Sequence, residues 1–509
     1  MNYIVTPEFH RNLWLKFSAF RLAIAPLFLI LLTTITINLT RDVSGYLMLY
    51  STVGIFAVVV ILWGCYEASS AMQEELRTNT WDFQRMSSVT PGQLVFGKFF
   101  GCTSYVWYFG LLTMIVFVYI FGFYTPPLPP GSATPLTSPA TAHDVFYAVL
   151  YMLLAGLIGQ SLSFLVSFIT MTAFTGRTGK YRQPRAGNAF IAGVVTAYLV
   201  FNNIAMEVAR DLSQNFSMRS SFSGSIFERQ PVYDWFTFHF SAEAFITGSL
   251  LFFLFWFMLG SYRIARSELM YGTTPAGWAA FMAAMLIYFG GLTHPDTARF
   301  NGEMFSLFTL MMFLTYAVMI FEASDSRKYA RFFLYVKEGR WMRALENTHK
   351  WVVSVPFVLL VYALTLMPAQ EHGRFLGFIE VGGLMLSMMF FALRDAFVVH
   401  AVFRTGEGRN AALKIISYYV LVYLLLPTLH FALTAVKVNT SVWFWMMTLM
   451  KFGSAPQQVP DVVKSAGFYF PMPFGDYTVS VIPSLLEAVL AGAMLVLLIK
   501  RQREKNQKG

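Results

Sequence analysis

Apolar residues fill twelve long segments of this chain, and its basic residues gather in the short stretches between them. The segments run at about 20–39, 45–66, 99–123, 145–172, 188–206 and 240–262, then 276–293, 304–322, 351–368, 375–399, 412–436 and 481–500. A helix needs roughly 20 mainly apolar residues to cross a bilayer. The pattern therefore predicts an all-α polytopic membrane protein with about twelve transmembrane helices in two pseudo-repeats of six, residues 1–262 and 263–509. Within 437–480, Thr440–Met450 is apolar but only about half a span in length, which predicts an outer re-entrant or interfacial segment. Residues 207–236 form the matching excursion of the first half, so each half reads as five spans, a long outer excursion and a last span.

The polar stretches set the orientation. With the N-terminus in the cytoplasm, the inner loops hold Arg177, Lys180, Arg182, Arg185, Arg263 and Arg266, and the tail adds Arg501, Arg503, Lys505 and Lys508. The outer loop 124–143 has no Lys or Arg, and 294–303 has one Arg. That bias predicts both termini inside. Residues 5–17 alternate Phe9, Leu13, Trp14 and Phe17 with His10, Arg11 and Lys16, an amphipathic interface helix with a basic face.

Two inner stretches repeat one another. Tyr66-Glu67-Ala68-Ser69 and Phe321-Glu322-Ala323-Ser324 each close an apolar segment and open a charged amphipathic element, 67–98 in one half and 323–350 in the other. In the first, Trp81, Phe83, Met86, Val89 and Leu94 alternate with Asp82, Gln84, Arg85 and Gln93, and Thr90-Pro91-Gly92 breaks the run. Pro91 suits the first turn of a second helix. The second element is far more basic, with seven Lys or Arg between 327 and 350.

Composition agrees with a bilayer: 56% of residues are hydrophobic and 13% charged, against roughly 25% charged in soluble proteins. Cys65 and Cys102 lie in or beside apolar segments and imply no disulfide framework or thiolate metal site. The net charge of +10 follows from inner loops, so no nucleic-acid partner is expected. The first apolar run follows His10, Arg11, Lys16 and Arg21 without a small-residue cleavage site, which reads as a signal anchor.

Candidate chemistry is sparse. Gly176-Arg-Thr-Gly-Lys180 lacks the earlier Gly of a phosphate-binding loop and has Tyr181 where a Mg²⁺-binding Ser or Thr belongs. No HExxH or catalytic carboxylate cluster is present, so the chain reads as a non-enzyme without a cofactor of its own. Glu67 and Glu322 mark inner span ends. Glu243, Glu380, His430 and Glu487 lie in or near outer parts of spans, as path-lining or structural polar groups; Arg394-Asp395 reads as a local ion pair. Asn202-Asn203 reads as an interhelical hydrogen-bonding pair.

The first hundred residues resemble a known family. Pro7-Glu8-Phe9, Arg11, Leu13 and Trp14 lead into span one; then come Thr80, Trp81, Asp82, Phe83, Ser88, Val89, Thr90, Pro91, Leu94, Val95, Gly97, Lys98 and Gly101. This resembles the permease subunit of ABC transporters in the type-2 exporter class, here with two six-span halves fused in one chain. The resemblance covers 5–105 in motif and extends to about 262 by topology, while the second half matches weakly. It implies a coupling helix that docks on a separate ATPase subunit, in dimeric form, which would supply ATP and Mg²⁺ chemistry. Docking would involve Glu67, Trp81, Asp82, Phe83, Arg85, Thr90, Pro91 and Gly92, and in the second element Glu322, Arg331, Gly339, Arg340 and Arg343. It also implies a bacterial cytoplasmic membrane, and leaves room for accessory subunits. Alternatives are a secondary transporter, a membrane-embedded enzyme, or a non-transporting scaffold with a permease-like fold.

Overall fold

A computed structural model describes residues 7–40, 45–78, 80–87, 89–123, 142–175, 232–272, 274–293, 300–322, 326–366, 375–405, 414–415, 417–425 and 477–508. These are helical apart from turns and one two-stranded hairpin. The chain divides into two compact units: Met1–Tyr233 with His239–Thr273, and Asp234–Phe238 with Thr274–Gly509.

In the first unit, Pro7 opens α1 (Pro7–Lys16), where its missing N–H leaves nothing unsatisfied. A 63° bend separates α1 from α2 (Ala19–Thr40). Next come α3 (Gly45–Phe56), a π-helical turn (Ala57–Trp63) and α4 (Gly64–Arg77), one after another without a break. Short α5 (Trp81–Met86) precedes two long apolar helices, α6 (Pro91–Phe123) and α7 (Ala142–Thr175). Strands β1 (Val232–Trp235) and β2 (Phe238–Ser241), whose residues Asp234–Phe238 count with the second unit, pair as a hairpin ahead of α8 (Ala242–Glu268). The Ser241 hydroxyl caps α8 by accepting from the Ala244 N–H at 3.3 Å. Helix α1 packs along α6, α4 along α7, and α7 along α8.

The second unit contains α9 (Ala276–Gly290), α10 (Phe300–Glu322), α11 (Ser326–Lys337), α12 (Trp341–Glu346), α13 (Lys350–Leu366), α14 (Phe375–Thr405) and α15 (Tyr477–Lys508). Leu421–Leu425 forms a second π-helical turn. Helix α14 packs along α15, and α10 along α13. The Trp278 indole donates to Ser354 at 2.7 Å and ties α9 to α13.

Six helices among the described residues are long and apolar enough to cross a bilayer: Ser51–Leu76, Pro91–Ile120, Val145–Met171, Ala242–Glu268, Gly382–Val402 and Val481–Leu498. The bent pair α1–α2 makes seven, and Ala276–Gly290, Glu303–Met319 and Lys350–Thr365 are shorter apolar helices. Of the twelve expected segments, 188–206 lies outside the described residues and 412–436 lies mostly outside them. So do 207–231 and 437–476, with Asn202, Asn203 and His430. Outward faces are apolar: Leu27, Ile30 and Leu31 on α2, Leu111 and Ile115 on α6, and Leu486, Val489, Leu490 and Leu497 on α15 all stand exposed. Water does not favour such faces over this length, whereas lipid does.

Several boundaries differ from the hydropathy pattern, two of them around the first charged element. The second segment continues as helix to Arg77 rather than ending at 66, and the third begins at Pro91 rather than 99. The charged element 67–98 set those span ends, but Glu67, Glu75 and Lys98 are each paired, and helix carries through all three.

Candidate functional site

The junction between α4 and α6 is built on buried charge. Lys98, in the second turn of α6, is 2% exposed, and its ammonium lies 2.8 Å from Glu75 on α4 and 3.5 Å from Glu8 on α1. Arg11 of α1 lies 3.0 Å from the same Glu8 oxygen and also pairs with Glu75. The Thr80 hydroxyl donates to Glu75 as well. Two cations and two carboxylates thus cancel where three helices meet, and the hydrogen bonds compensate part of their desolvation. Asn12 backs the cluster by donating to the Glu8 carbonyl at 3.0 Å. Close approach of α1 to α6 depends on Gly101, where an added Cβ would stand 2.7 Å from the Asn12 Cβ.

A second pair sits further along the same helices. Lys16 lies 2.5 Å from Glu67, which also accepts from the Trp63 indole at 3.1 Å. Glu67 therefore fastens α1 to α4 instead of standing bare for a partner. The outward side of α1 leaves Trp14 84% and Leu15 68% exposed.

Helix α5 is two-faced. Trp81 is 1% exposed and packs among Met72, Leu76, Leu94, Phe164 and Phe168. It anchors the helix, because its face meets the apolar junction of α4, α6 and α7. Arg85, one turn on, donates to the Glu268 carbonyl at the end of α8 at 3.1 Å. The other face carries Phe83 and Met86, 78% and 79% exposed, beside Asp82, whose side chain is 64% exposed. The root is fixed and the tip is bare.

Thr90, Pro91 and Gly92 start α6. The Thr90 N–H donates to the Gln93 side chain at 3.1 Å, and the Gln93 N–H returns to the Thr90 hydroxyl at 3.4 Å, which is a capping box. Val89 and Leu94 sit in one apolar cluster, as a hydrophobic staple requires. These residues fix the angle between α5 and α6; Pro91 is buried, and Thr90 alone of the three is exposed.

In the second unit, Glu322 ends α10 and is 9% exposed. Its carboxylate accepts the Lys350 N–H at 2.6 Å and lies 3.6 Å from the Lys350 ammonium and 3.8 Å from His349 Nδ1. It closes the base of the α11–α12 element and is not part of that element's surface. Gly339 turns α11 into α12 with φ +70°, a left-handed conformation that suits glycine. Arg331, Arg340 and Arg343 are exposed, and Arg340 lies 3.2 Å from Glu338.

Of the expected path residues, Glu487 joins a polar cluster and His430 lies outside the described residues. Glu243 lies in the first turn of α8, where a carboxylate suits the helix dipole, and its carbonyl accepts from Tyr151 at 3.4 Å. Glu380 lies on α14 in the second unit. A polar cluster forms there, near the middle of the Gly382–Val402 and Val481–Leu498 apolar helices. Arg394 holds Asp395 through Nε and Nη2, both at 2.9 Å, and bonds Glu487 on α15 through Nη1. Tyr418 donates to Asp395 at 2.6 Å and Tyr316 at 2.5 Å. A hydroxyl has one proton, so Tyr316 accepts from Tyr419, 2.7 Å away. The expected local pair is present, extended by a partner 93 residues away that spacing could not reveal.

No protein-family model, curated protein or solved structure matches this chain.

Proposed function

We propose that this chain is the membrane-spanning permease of an ABC exporter, with two six-span halves in one polypeptide and both termini cytoplasmic. It couples to a separate, dimeric ATPase subunit that binds ATP and Mg²⁺. The supporting observation is α5: a six-residue helix rooted by buried Trp81 and by the Arg85 hydrogen bond to α8, with an exposed tip at Asp82, Phe83 and Met86. Such a tip can enter a cleft on a partner. Its root is continuous with α4 and α6, which the Glu8–Arg11–Glu75–Lys98 cluster binds to α1. A pull on α5 by closing ATPase domains would move these helices as one body and re-pack the spans. The α11–α12 element occupies the corresponding place in the second half.

The test is co-purification after mild solubilisation, followed by ATPase measurement in reconstituted membranes. A nucleotide-binding subunit should accompany the chain, and D82R and F83A should weaken its retention and stimulation. Absence of that subunit, with ATPase indifferent to both substitutions, sinks the proposal.

One observation favours a second reading. Charged groups held mid-span are costly and typical of ion-coupled secondary transporters, and Arg394, Asp395 and Glu487 form such a group. Transport by the chain in vesicles without any ATPase, lost in D395N or E487Q, would select that reading over the first.

A further inference from the structure

We infer that the α11–α12 element lies on the bilayer surface and binds the anionic headgroups of the leaflet it faces. The inference goes beyond the exporter reading and does not depend on it.

The first observation is where the element begins and ends. Helix α10 ends at Glu322, four residues before Ser326, and α13 starts at Lys350, four residues after Glu346. Glu322 accepts the Lys350 N–H, so both ends of the element meet at one point on the apolar helices. Twelve residues of α11 and six of α12 are thereby held at the ends of two apolar helices.

The second observation is what the element exposes. Phe333, Leu334, Trp341, Met342 and Leu345 are 64%, 52%, 65%, 75% and 54% exposed. Arg331, Lys337, Arg340, Arg343 and Lys350 are exposed among them, against Glu338 and Glu346. Large apolar side chains with a basic excess, held at the ends of two apolar helices, match the chemistry of an anionic leaflet. The apolar groups enter the acyl boundary and the cations meet phosphate. Helix α5 is the contrast: it is short and shows Asp82 beside Phe83 and Met86 rather than a row of cations. The two elements hold corresponding places in sequence, and their surfaces suit different partners.

The experiment places a spin label at M342C in the full chain, where the native side chain is exposed and the two native cysteines are buried. The chain is reconstituted without an ATPase subunit, in phosphatidylcholine vesicles with and without phosphatidylglycerol. With the anionic lipid, collisions with oxygen should rise and collisions with a water-soluble nickel complex should fall several-fold. Combined R331Q, K337Q, R340Q and R343Q should abolish the difference between lipids while leaving thermal stability in detergent unchanged. A label that stays open to nickel in anionic vesicles overturns the inference. So does shielding that appears only when a nucleotide-binding subunit is added, which would make the element a protein-docking surface. Because α5 is untouched, the D82R and F83A results stand or fall separately.

Discussion

Replacing Lys98 by Met probes the charge cluster that joins α1, α4 and α6. The side chain keeps most of its volume, so packing is preserved while one cation leaves a site that is 2% exposed. Glu75 and Glu8, with side chains 8% and 9% exposed, then share a single counter-ion, Arg11, itself 42% exposed. Breaking a buried pair by removing one partner costs about 3–5 kcal/mol. Since Arg11 remains, a cost near the lower end, about 3 kcal/mol, is expected. E75Q should cost a similar amount, because it leaves Lys98 with only Glu8 at 3.5 Å. The double variant retains a matched Glu8–Arg11 pair at 3.0 Å. It should therefore be no worse than either single change, a coupling of about 3 kcal/mol, at the upper end for contacting residues. Unfolding of the full chain by SDS titration in mixed micelles measures all three. A K98M cost below about 0.5 kcal/mol, the range of ordinary surface changes, would refute the reasoning, as would additive costs in the double variant.

Other consequences follow from single residues. W81A should destabilise the first unit by about 3–5 kcal/mol, as truncation of a buried Trp does, whereas F83A should stay within about 0.5 kcal/mol; thermal unfolding in detergent separates them. Q160L removes the amide that donates to the Val60 carbonyl at 2.9 Å and accepts from Trp107 at 2.8 Å. Leaving those groups unmet should cost about 1–3 kcal/mol, read by the same assay. R394M strands Asp395 and Glu487 together and should reduce folded yield far more than E487Q, which keeps the Arg394–Asp395 pair; size-exclusion recovery after solubilisation gives the comparison.

Apolar stretches located helices well because one bulk property, transfer into lipid, governs them. Their ends were less legible, since a charge marks a span end unless its partner is known. Glu67 is matched by Lys16 and Glu75 by Lys98, from other helices. The two faces of α5 were within reach of periodicity: Trp81 and Arg85 are four apart, Phe83 and Met86 three apart, and helical geometry puts each pair on one side. Which pair faces inward depends on what α4, α6 and α7 bring to the junction, and that is tertiary information. Motif residues Glu8 and Lys98 were visible as a pattern, but nothing in their spacing indicated that they meet. The Arg394–Glu487 contact had no local signal at all.

The π-helical turn at Ala57–Trp63 has a consequence for how the second span can vary. The Gly64 N–H reaches back five residues to the Val59 carbonyl, and the Val60 carbonyl is taken up by Gln160. A wide turn of this kind holds one residue more than an α-helical path between the same two faces. Each residue of an α-helix advances the face by about 100°, so α3 and α4 are out of phase by one position. Their packed stripes cannot be read as a single continuous series: Phe56 and Val60 belong to one buried cluster, Ala68 and Met72 to another. Deleting one residue between 57 and 63 would restore a regular helix and rotate every side chain of α3 relative to α4. At Val58 and Leu62, which point outward, length is therefore constrained more tightly than identity, since the register on both sides depends on their being there.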